Sequence, residues 1–553
     1  MAKSHNTTAA SGDYSIIKHA AVLGLAAFLA RVIGFLYRLP LTNMIGDEGQ
    51  GIYASGYQVY NFLLILSSAG LPVAISKMVS ERIALNQYAN AHNVFKVAMS
   101  SAVVLGAFFS IILYVFATEI AVAVDNPDST LTLVTLAPTI LLVAVMSVYR
   151  GYFQGMGNSV PTGASQLFEQ IVNAVFSIVL AGWLMSLHSG SIAWGAAGGT
   201  AGTGVGALFG FFFLILVYRW SKPKIQKRIN DQKRRKEIIV YEGKQKILKS
   251  LMMTAFPIIA GTAVFSFTNL VDMKMVIGRL TETGFSTQQA LSLYGQLSNK
   301  YVAITTLPIA IAATMAVACV PSLSAANVTH KNRSEMSASI NMSLRYTMML
   351  SIPAAIGIGV LSDQILLLLF KNYPEGGMLL KAGALSIIFL SIVQVTTGML
   401  QSLNKFYVPI VAALVGVALK IPISYVLLGI PEINVIGAII GTTVCYIAAT
   451  FIDLSQLKKT ARIKLDVLGF FVKPMCASLF MGLVCYFTYY SLYYYVPSNT
   501  IAVIFSIVTG MLSYMTAMIF IGGFRLSDLE ALPKSHIILG IFRKLGVYQY
   551  LLK

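Results

Sequence analysis

Apolar stretches of about 20 residues recur from one end of this chain to the other, separated by short polar breaks, and such a length is what a helix needs to cross hydrocarbon. Backbone N–H and C=O groups find no partner in lipid, so the chain must cross as helices that satisfy their own hydrogen bonds. Of 553 residues, 56% are hydrophobic and only 11% charged, about half the charged share of an ordinary soluble domain. The windows fall near 16–39, 52–76, 95–118, 131–150, 166–187, 194–218, 250–276, 291–320, 341–361, 378–402, 407–428, 434–453, 468–490 and 500–523. They predict an all-α polytopic membrane protein of about 14 transmembrane helices. Arg31 and Arg38 interrupt the first apolar run, which therefore reads as a retained helix rather than a cleaved signal peptide.

Forty Lys and Arg face 21 Asp and Glu, a formal charge of +19. In a membrane protein such an excess belongs chiefly to cytoplasmic loops. With the amino terminus inside, about three quarters of the basic residues fall in inside segments, and both termini are expected in the cytoplasm. The breaks Gly46-Asp47-Glu48-Gly49 and Asn126-Pro127-Asp128, acidic or neutral, read as external loops. Residues 1–218 then form an N-lobe of six spans, 219–249 a basic cytoplasmic linker, 250–453 a C-lobe of six more, and 454–523 a final pair. The tail 524–553 mixes apolar and basic residues, as an interfacial amphipathic helix would. Twelve basic residues in 219–249 against Asp231, Glu237 and Glu242 suit a solvated linker or attraction to anionic lipid. Nothing adds a base-reading module, so no nucleic acid partner is expected. Trp183, Trp194 and Trp220, with the tyrosines at 489–495, sit at span ends as interfacial anchors.

An internal echo points to two lobes. Gly151-Tyr152-Phe153-Gln154 leading to Pro161 is matched by Gly398-Met399-Leu400-Gln401 leading to Pro409, and Gly70-Leu71-Pro72 by Thr306-Leu307-Pro308. Repeated halves put a substrate site in a central cavity at their interface and permit alternating access. Cys319, Cys445, Cys476 and Cys485 all lie in apolar stretches and read as small core residues. The six histidines are scattered, without metal-ligand spacing. No metal, cofactor or enzymatic chemistry is expected.

Charges deep in lipid are costly and usually face a protein interior or a wet cavity. Arg31 lies about 22 Å along the first span, and Arg38, seven residues on, projects from nearly the same face. Two guanidinium groups on one face can grip a phosphate-bearing anion, since each offers paired donors that match phosphate oxygens. Alternatively Arg38 snorkels to the outer interface and Arg31 pairs with a buried acid such as Asp272. Span seven adds Asp272, Lys274 and Arg279; Lys274 points away from the face that Asp272 and Arg279 share. Asp272 reads as a counter-ion or as a proton or cation site. Lys300 in span eight and Lys420 in span eleven are further candidates, each with an interfacial alternative, while Glu169 and Lys473 read as interfacial. The embedded bases Arg31, Arg38, Lys274, Lys300 and Lys420 outnumber the embedded acid Asp272, which favours an anionic substrate. A lipid-linked pyrophosphate sugar fits, with its headgroup in a wet basic cavity and its tail in lipid.

Leu29-Ala30-Arg31-Val32-Ile33-Gly34-Phe35, Ile45-Gly46-Asp47-Glu48-Gly49-Gln50-Gly51-Ile52-Tyr53, Gly70-Leu71-Pro72-Val73-Ala74-Ile75-Ser76-Lys77 and Tyr149-Arg150-Gly151-Tyr152-Phe153-Gln154-Gly155 resemble the Gram-positive polysaccharide-biosynthesis flippases. That branch of the multidrug/oligosaccharidyl-lipid/polysaccharide exporter superfamily includes the MurJ-type lipid II flippases and stage V sporulation protein B. The resemblance implies fourteen helices in two lobes around a central cavity, a lipid-tail groove made by the last two, and a bacterial cell membrane location. It implies movement of the undecaprenyl-pyrophosphate-linked peptidoglycan precursor between leaflets, with cell-wall synthesis proteins as partners. Arg31 matches the family's first-helix arginine; Arg38 falls one residue from the next basic position, and Lys300 approximates the eighth-helix arginine. The paired second-helix arginines of Gram-negative members have no counterpart here, since Asn61-Phe62-Leu63-Leu64-Ile65-Leu66 is uncharged. Arg31 is thus expected as the principal pyrophosphate ligand, assisted by Arg38 and Lys300, with Asp272 as counter-ion. Export of another undecaprenyl-linked glycan, a cation-coupled drug exporter and a non-transporting scaffold for wall synthesis are the other readings.

Overall fold

A computed structural model describes residues 23–234, 242–311, 333–403, 405 and 407–523. The expected amphipathic tail, Cys319, and parts of the first and eighth spans and of the basic linker lie outside the described residues. Among the described residues there is helix and no strand, as hydrocarbon requires of a chain this apolar. Twelve helical segments are long and apolar enough to cross a membrane, from Arg38–Ala84 to Asn499–Phe520. Each corresponds to one predicted window, and the remaining two windows, the first and the eighth, run into undescribed residues.

The chain divides into two compact units, one made of residues 1–281 and 285–295, the other of 282–284 and 296–553. The first contains α1 (Leu23–Leu36), α2 (Arg38–Ser68), α3 (Leu71–Ala84), α4 (Tyr88–Val115), α5 (Ala117–Ala123), α6 (Thr130–Gly155), α7 (Val160–Leu187), α8 (Ile192–Arg234), α9 (Lys244–Glu282) and α10 (Thr287–Gly295). Although counted from sequence with the C-lobe, α9 packs in this unit: Ile247, Leu251, Ala255 and Ile259 join a buried cluster with Leu71, Ile75, Val94 and Val148. The second unit begins with a π-helical turn, Gln296–Tyr301, which leads into α11 (302–311). It continues through α12 (Arg333–Val360), α13 (Ser362–Leu369), α14 (Gly377–Ser402), α15 (Tyr407–Leu428), α16 (Ile436–Ala461), α17 (Lys473–Tyr495) and α18 (Asn499–Phe520). The last pair is seated on α12 and α13 through Met349, Leu361, Met481, Cys485, Val503 and Met518. The two halves of the longer echo fall at equivalent turns, with Pro161 opening α7 after α6 and Pro409 in the first turn of α15 after α14, whereas in the shorter one Pro72 opens α3 and Pro308 lies inside α11.

Inside lipid there is little hydrophobic drive between helices, so small residues that let backbones approach closely decide which pairs meet. Gly198, Gly202 and Gly206 repeat every fourth residue along α8 and face α7. A Cβ on Gly202 would lie 2.3 Å from the amide nitrogen of Ser177. The break Gly46–Gly49, expected as an external loop, is helical instead: α2 runs through it with one non-helical residue, Gly46, at φ 72°. Asp47 is 4% and Gln50 2% exposed, because α10 covers this stretch at backbone distance, a Cβ on Gly51 falling 2.1 Å from the Leu291 carbonyl oxygen. The polar composition that reads as loop is thus a close helix crossing. The cysteines also divide: Cys445 and Cys485 are buried as expected, whereas Cys476 is exposed on α17.

Gly202→Leu would force a side chain into the Ser177 backbone and should destabilise the protein by about 1–3 kcal/mol. Gly261→Ala on α9, where nothing lies within 4 Å, should be neutral or slightly stabilising. Thermal unfolding of the detergent-solubilised variants against the parent checks both.

Candidate substrate-binding site

In the first unit several polar side chains surround a predicted cation, Arg38. One turn residue, Tyr37, separates α1 from α2, and Arg38 follows at the start of α2. Farther along α2, Tyr53, Tyr57 and Tyr60 recur at helical spacing on one face. Tyr53 and Tyr57 stack with ring centroids 6.0 Å apart, and Tyr57 and Tyr60 lie 5.5 Å apart. The Tyr37 and Tyr53 hydroxyls are 3.2 Å from each other. Arg38 sits among these groups, within electrostatic range of Tyr37, Tyr53 and Tyr57. Arg38 is a half-buried cation edged by phenol hydroxyls, which can donate to an anion beside it.

Arg31 is solvent-accessible on α1, and among the described residues it has no hydrogen-bond or ion-pair partner. The alternative of a buried ion pair with Asp272 is not what this geometry contains. Asp272 is half-buried on α9 and lies within electrostatic range of Tyr294 on α10, while Lys274 is exposed. The two diverge as their spacing requires.

Lys300, expected to assist at the pyrophosphate, lies in the second unit. It is 1% exposed on the π-helical turn, and its Nζ donates to the Tyr373 carbonyl at 2.7 Å and the Glu375 carbonyl at 2.9 Å. The ammonium also lies 5.5 Å from the Phe370 ring centroid. Its Nζ bonds tie it to the 370–376 turn within the second unit. Lys420 is 9% exposed within α15 of the same unit. The predicted set is thus split: Arg31, Arg38, Asp272 and Lys274 belong to the first unit, Lys300 and Lys420 to the second.

Several polar groups escaped sequence reasoning. Glu169, expected at the interface, pairs with Arg150 at 2.6 Å, and Arg150 Nε also donates to Ser165 Oγ at 3.1 Å. Glu169 lies within electrostatic range of Tyr57 and Tyr60, which links this pair to the tyrosine face. In the second unit Asp453 is fully buried and accepts a hydrogen bond from Thr396 Oγ1 at 3.1 Å. It is a second embedded carboxylate beside Asp272, overlooked because the apolar window ends at 453 whereas α16 continues to Ala461. Arg345 is 5% exposed inside α12. The tyrosine face was legible as the spacing of residues 53, 57 and 60; the Arg150–Glu169 pair joins two helices and carries no local signal.

Comparison with known proteins agrees with this architecture. The lipid II flippase MurJ of Bacillus subtilis (strain 168) is 25% identical over 458 residues, covering 80% of this chain and 82% of that protein. Stage V sporulation protein B of the same organism is 24% identical over 468 residues, covering 84% and 88%. Among solved structures, lipid II flippase MurJ in an inward closed conformation superposes with a TM-score of 0.66 at 17% identity, covering 90% of this chain and 98% of that one. An inward-facing multidrug resistance MATE family transporter of the MOP superfamily gives 0.63 at 14% identity, covering 78% and 96%. The fold is that of MOP superfamily transporters, and the protein is a multi-pass membrane protein. The family model described as polysaccharide biosynthesis protein matches residues 16–327, more than half of the chain, and the chain belongs to that family.

Proposed function

We propose that this protein is a flippase that moves an undecaprenyl-pyrophosphate-linked peptidoglycan precursor, lipid II, from the inner to the outer leaflet by alternating access. The observation that carries the reading is Arg38, held half-buried against Tyr37, Tyr53 and Tyr57 one helical stretch beyond the accessible Arg31. A guanidinium edged by hydroxyl donors recognises phosphate oxygens in paired hydrogen bonds that a drug cation cannot accept. Similarity to the lipid II flippase MurJ along most of both chains supports the same substrate class. Within this reading Arg31 meets the pyrophosphate first, Arg38 and its tyrosines hold it, and Asp272 with Tyr294 balances charge. Lys300 acts by positioning the 370–376 turn, and the outer faces of α17 and α18 receive the lipid tail. An undecaprenyl-linked exopolysaccharide or teichoic unit is the second reading, favoured by the match to the family described as polysaccharide biosynthesis protein.

Purified protein in vesicles should translocate labelled lipid II, and a teichoic or exopolysaccharide precursor more slowly. The reverse preference would assign the second reading, and translocation of neither would remove both. Arg31→Ala and Arg38→Ala should each lower the rate about ten- to a hundredfold, the worth of one charge-assisted hydrogen-bond site. A rate unchanged in both would take the arginines out of the site. Lys300→Met should act differently, lowering thermal stability because two buried carbonyls lose their donor. The rate of its folded fraction should fall less than that of Arg38→Ala.

A further inference from the structure

We propose that the cytoplasmic end of the first unit carries a separate binding pocket for a phosphate ester, and that its ligand is the headgroup of an anionic glycerophospholipid. The pocket opens between the α3–α4 turn, the end of α6 and the part of α8 that continues past its apolar window. At 43 residues, α8 is about 64 Å long, twice the thickness of a hydrocarbon core, so its final turns stand in the headgroup layer and beyond. Trp220, 77% exposed, marks that level, since exposed indole rings favour the headgroup region. The next residue, Ser221, already lines the pocket.

The cavity has a volume of about 190 Å³, and its lining among the described residues holds two cations, Lys224 and Arg228, and no carboxylate. Ser221, Lys224 and Arg228 share one face of α8 at spacings of three and four residues. Like charges four apart on a helix repel by a few tenths of a kcal/mol, about 0.2–0.5, and an anion between the exposed Lys224 and Arg228 relieves that repulsion. Asn158 and Tyr152 add an amide and a hydroxyl from α6 and the turn that follows it. Arg228 is steadied over the Tyr88 ring, 5.8 Å from its centroid, within cation–π range. Ile83, Met156 and Ile225 supply an apolar floor suited to the glycerol carbons of a lipid rather than to a bare inorganic ion.

The walls are fixed from both sides of the cytoplasmic linker. Arg82 Nε donates to Glu242 Oε1 at 3.0 Å, and its Nη2 lies 2.5 Å from Oε2. The Ala89 amide donates to Gln232 Oε1 at 3.1 Å, and the Glu242 amide donates to Asn90 Oδ1 at 3.4 Å. Gln232 and Glu242 flank the densest part of the linker's positive charge, Gln232 being anchored on the first turn of α4, which bears Tyr88, and Glu242 on that turn and the last turn of α3. The basic face of α8 is thereby held against the turn in advance of ligand, which is what a binding site requires and a merely solvated charge run does not.

Native mass spectrometry of the full chain, released from nanodiscs of phosphatidylglycerol and phosphatidylcholine, tests the proposal. The parent should retain phosphatidylglycerol about tenfold more than the Lys224→Ala/Arg228→Ala double variant. A Lys222→Ala/Lys227→Ala variant, which removes the same charge from the same helix outside the pocket, should behave as the parent. Equal retention by the pocket variant and the parent would overturn the site. Equal loss in both double variants would overturn it too, leaving only general attraction to an anionic surface. Inorganic phosphate at millimolar concentration should not displace the lipid; displacement would keep the anion pocket but assign it to a soluble phosphate. Coincident thermal unfolding of the three proteins in detergent shows that each variant is folded, and a variant that unfolds early is replaced by Lys224→Gln/Arg228→Gln.

Discussion

Hydrocarbon accepts no hydrogen bond from a peptide group and donates none, and a chain that must cross it many times is confined to helices that close their own bonds. That confinement moves the burden of specificity from hydrogen bonding to shape. Helices in lipid gain little by hiding Leu from water, so the pairs that form are those whose backbones come closest. The glycine row of α8 against α7 and the crossing of α2 by α10 at Gly51 are two such seams. Both depend on the absence of a side chain, and both build the first unit that holds the arginine and tyrosine cluster.

The same medium makes each embedded charge expensive, so those that remain must be employed. Here they fall into three kinds of employment. Lys300 and Lys473 serve as braces, the first on the Tyr373 and Glu375 carbonyls and the second on the Gly522 carbonyl at 2.8 Å. Arg150 and Glu169 cancel one another. Arg38 has hydroxyls for neighbours rather than a carboxylate, and Arg31 is accessible without an ion-pair partner among the described residues. Charge left uncancelled in this way is what an anionic headgroup can use, and it separates ligand-seeking cations from braces of identical residue type.

Much of the fold was legible because apolar length is a local property. The window 407–428 coincides with α15 to the residue, and the other windows miss their helices mainly at the ends. Polar breaks were less trustworthy. Gly46–Gly49 carries the composition of a turn, yet α10 lies against it and the backbone stays helical apart from Gly46. The end of the window at 453 hid Asp453, because a hydropathy boundary marks where side chains turn polar and not where the helix stops. Of the candidate site, the arginines were legible from the cost of burying charge, and Lys300 was correctly seen as embedded while its carbonyl partners, some 70 residues away in sequence, were invisible.

The sequence by itself determined that this protein crosses a membrane as helices, roughly where each crossing falls, and which charges are costly enough to need a reason. Those conclusions rest on residue type and spacing along one helix, which physics evaluates locally. Only the tertiary structure decided which groups each charge meets: Arg38 edged by tyrosines, Lys300 bonded to a distant turn, Arg150 neutralised by Glu169, and Lys224 with Arg228 beside Tyr88 near the end of α8. The reason is that a charge in a low-dielectric interior is governed by whichever groups lie within a few ångströms, and in a helical membrane protein those neighbours come from other helices.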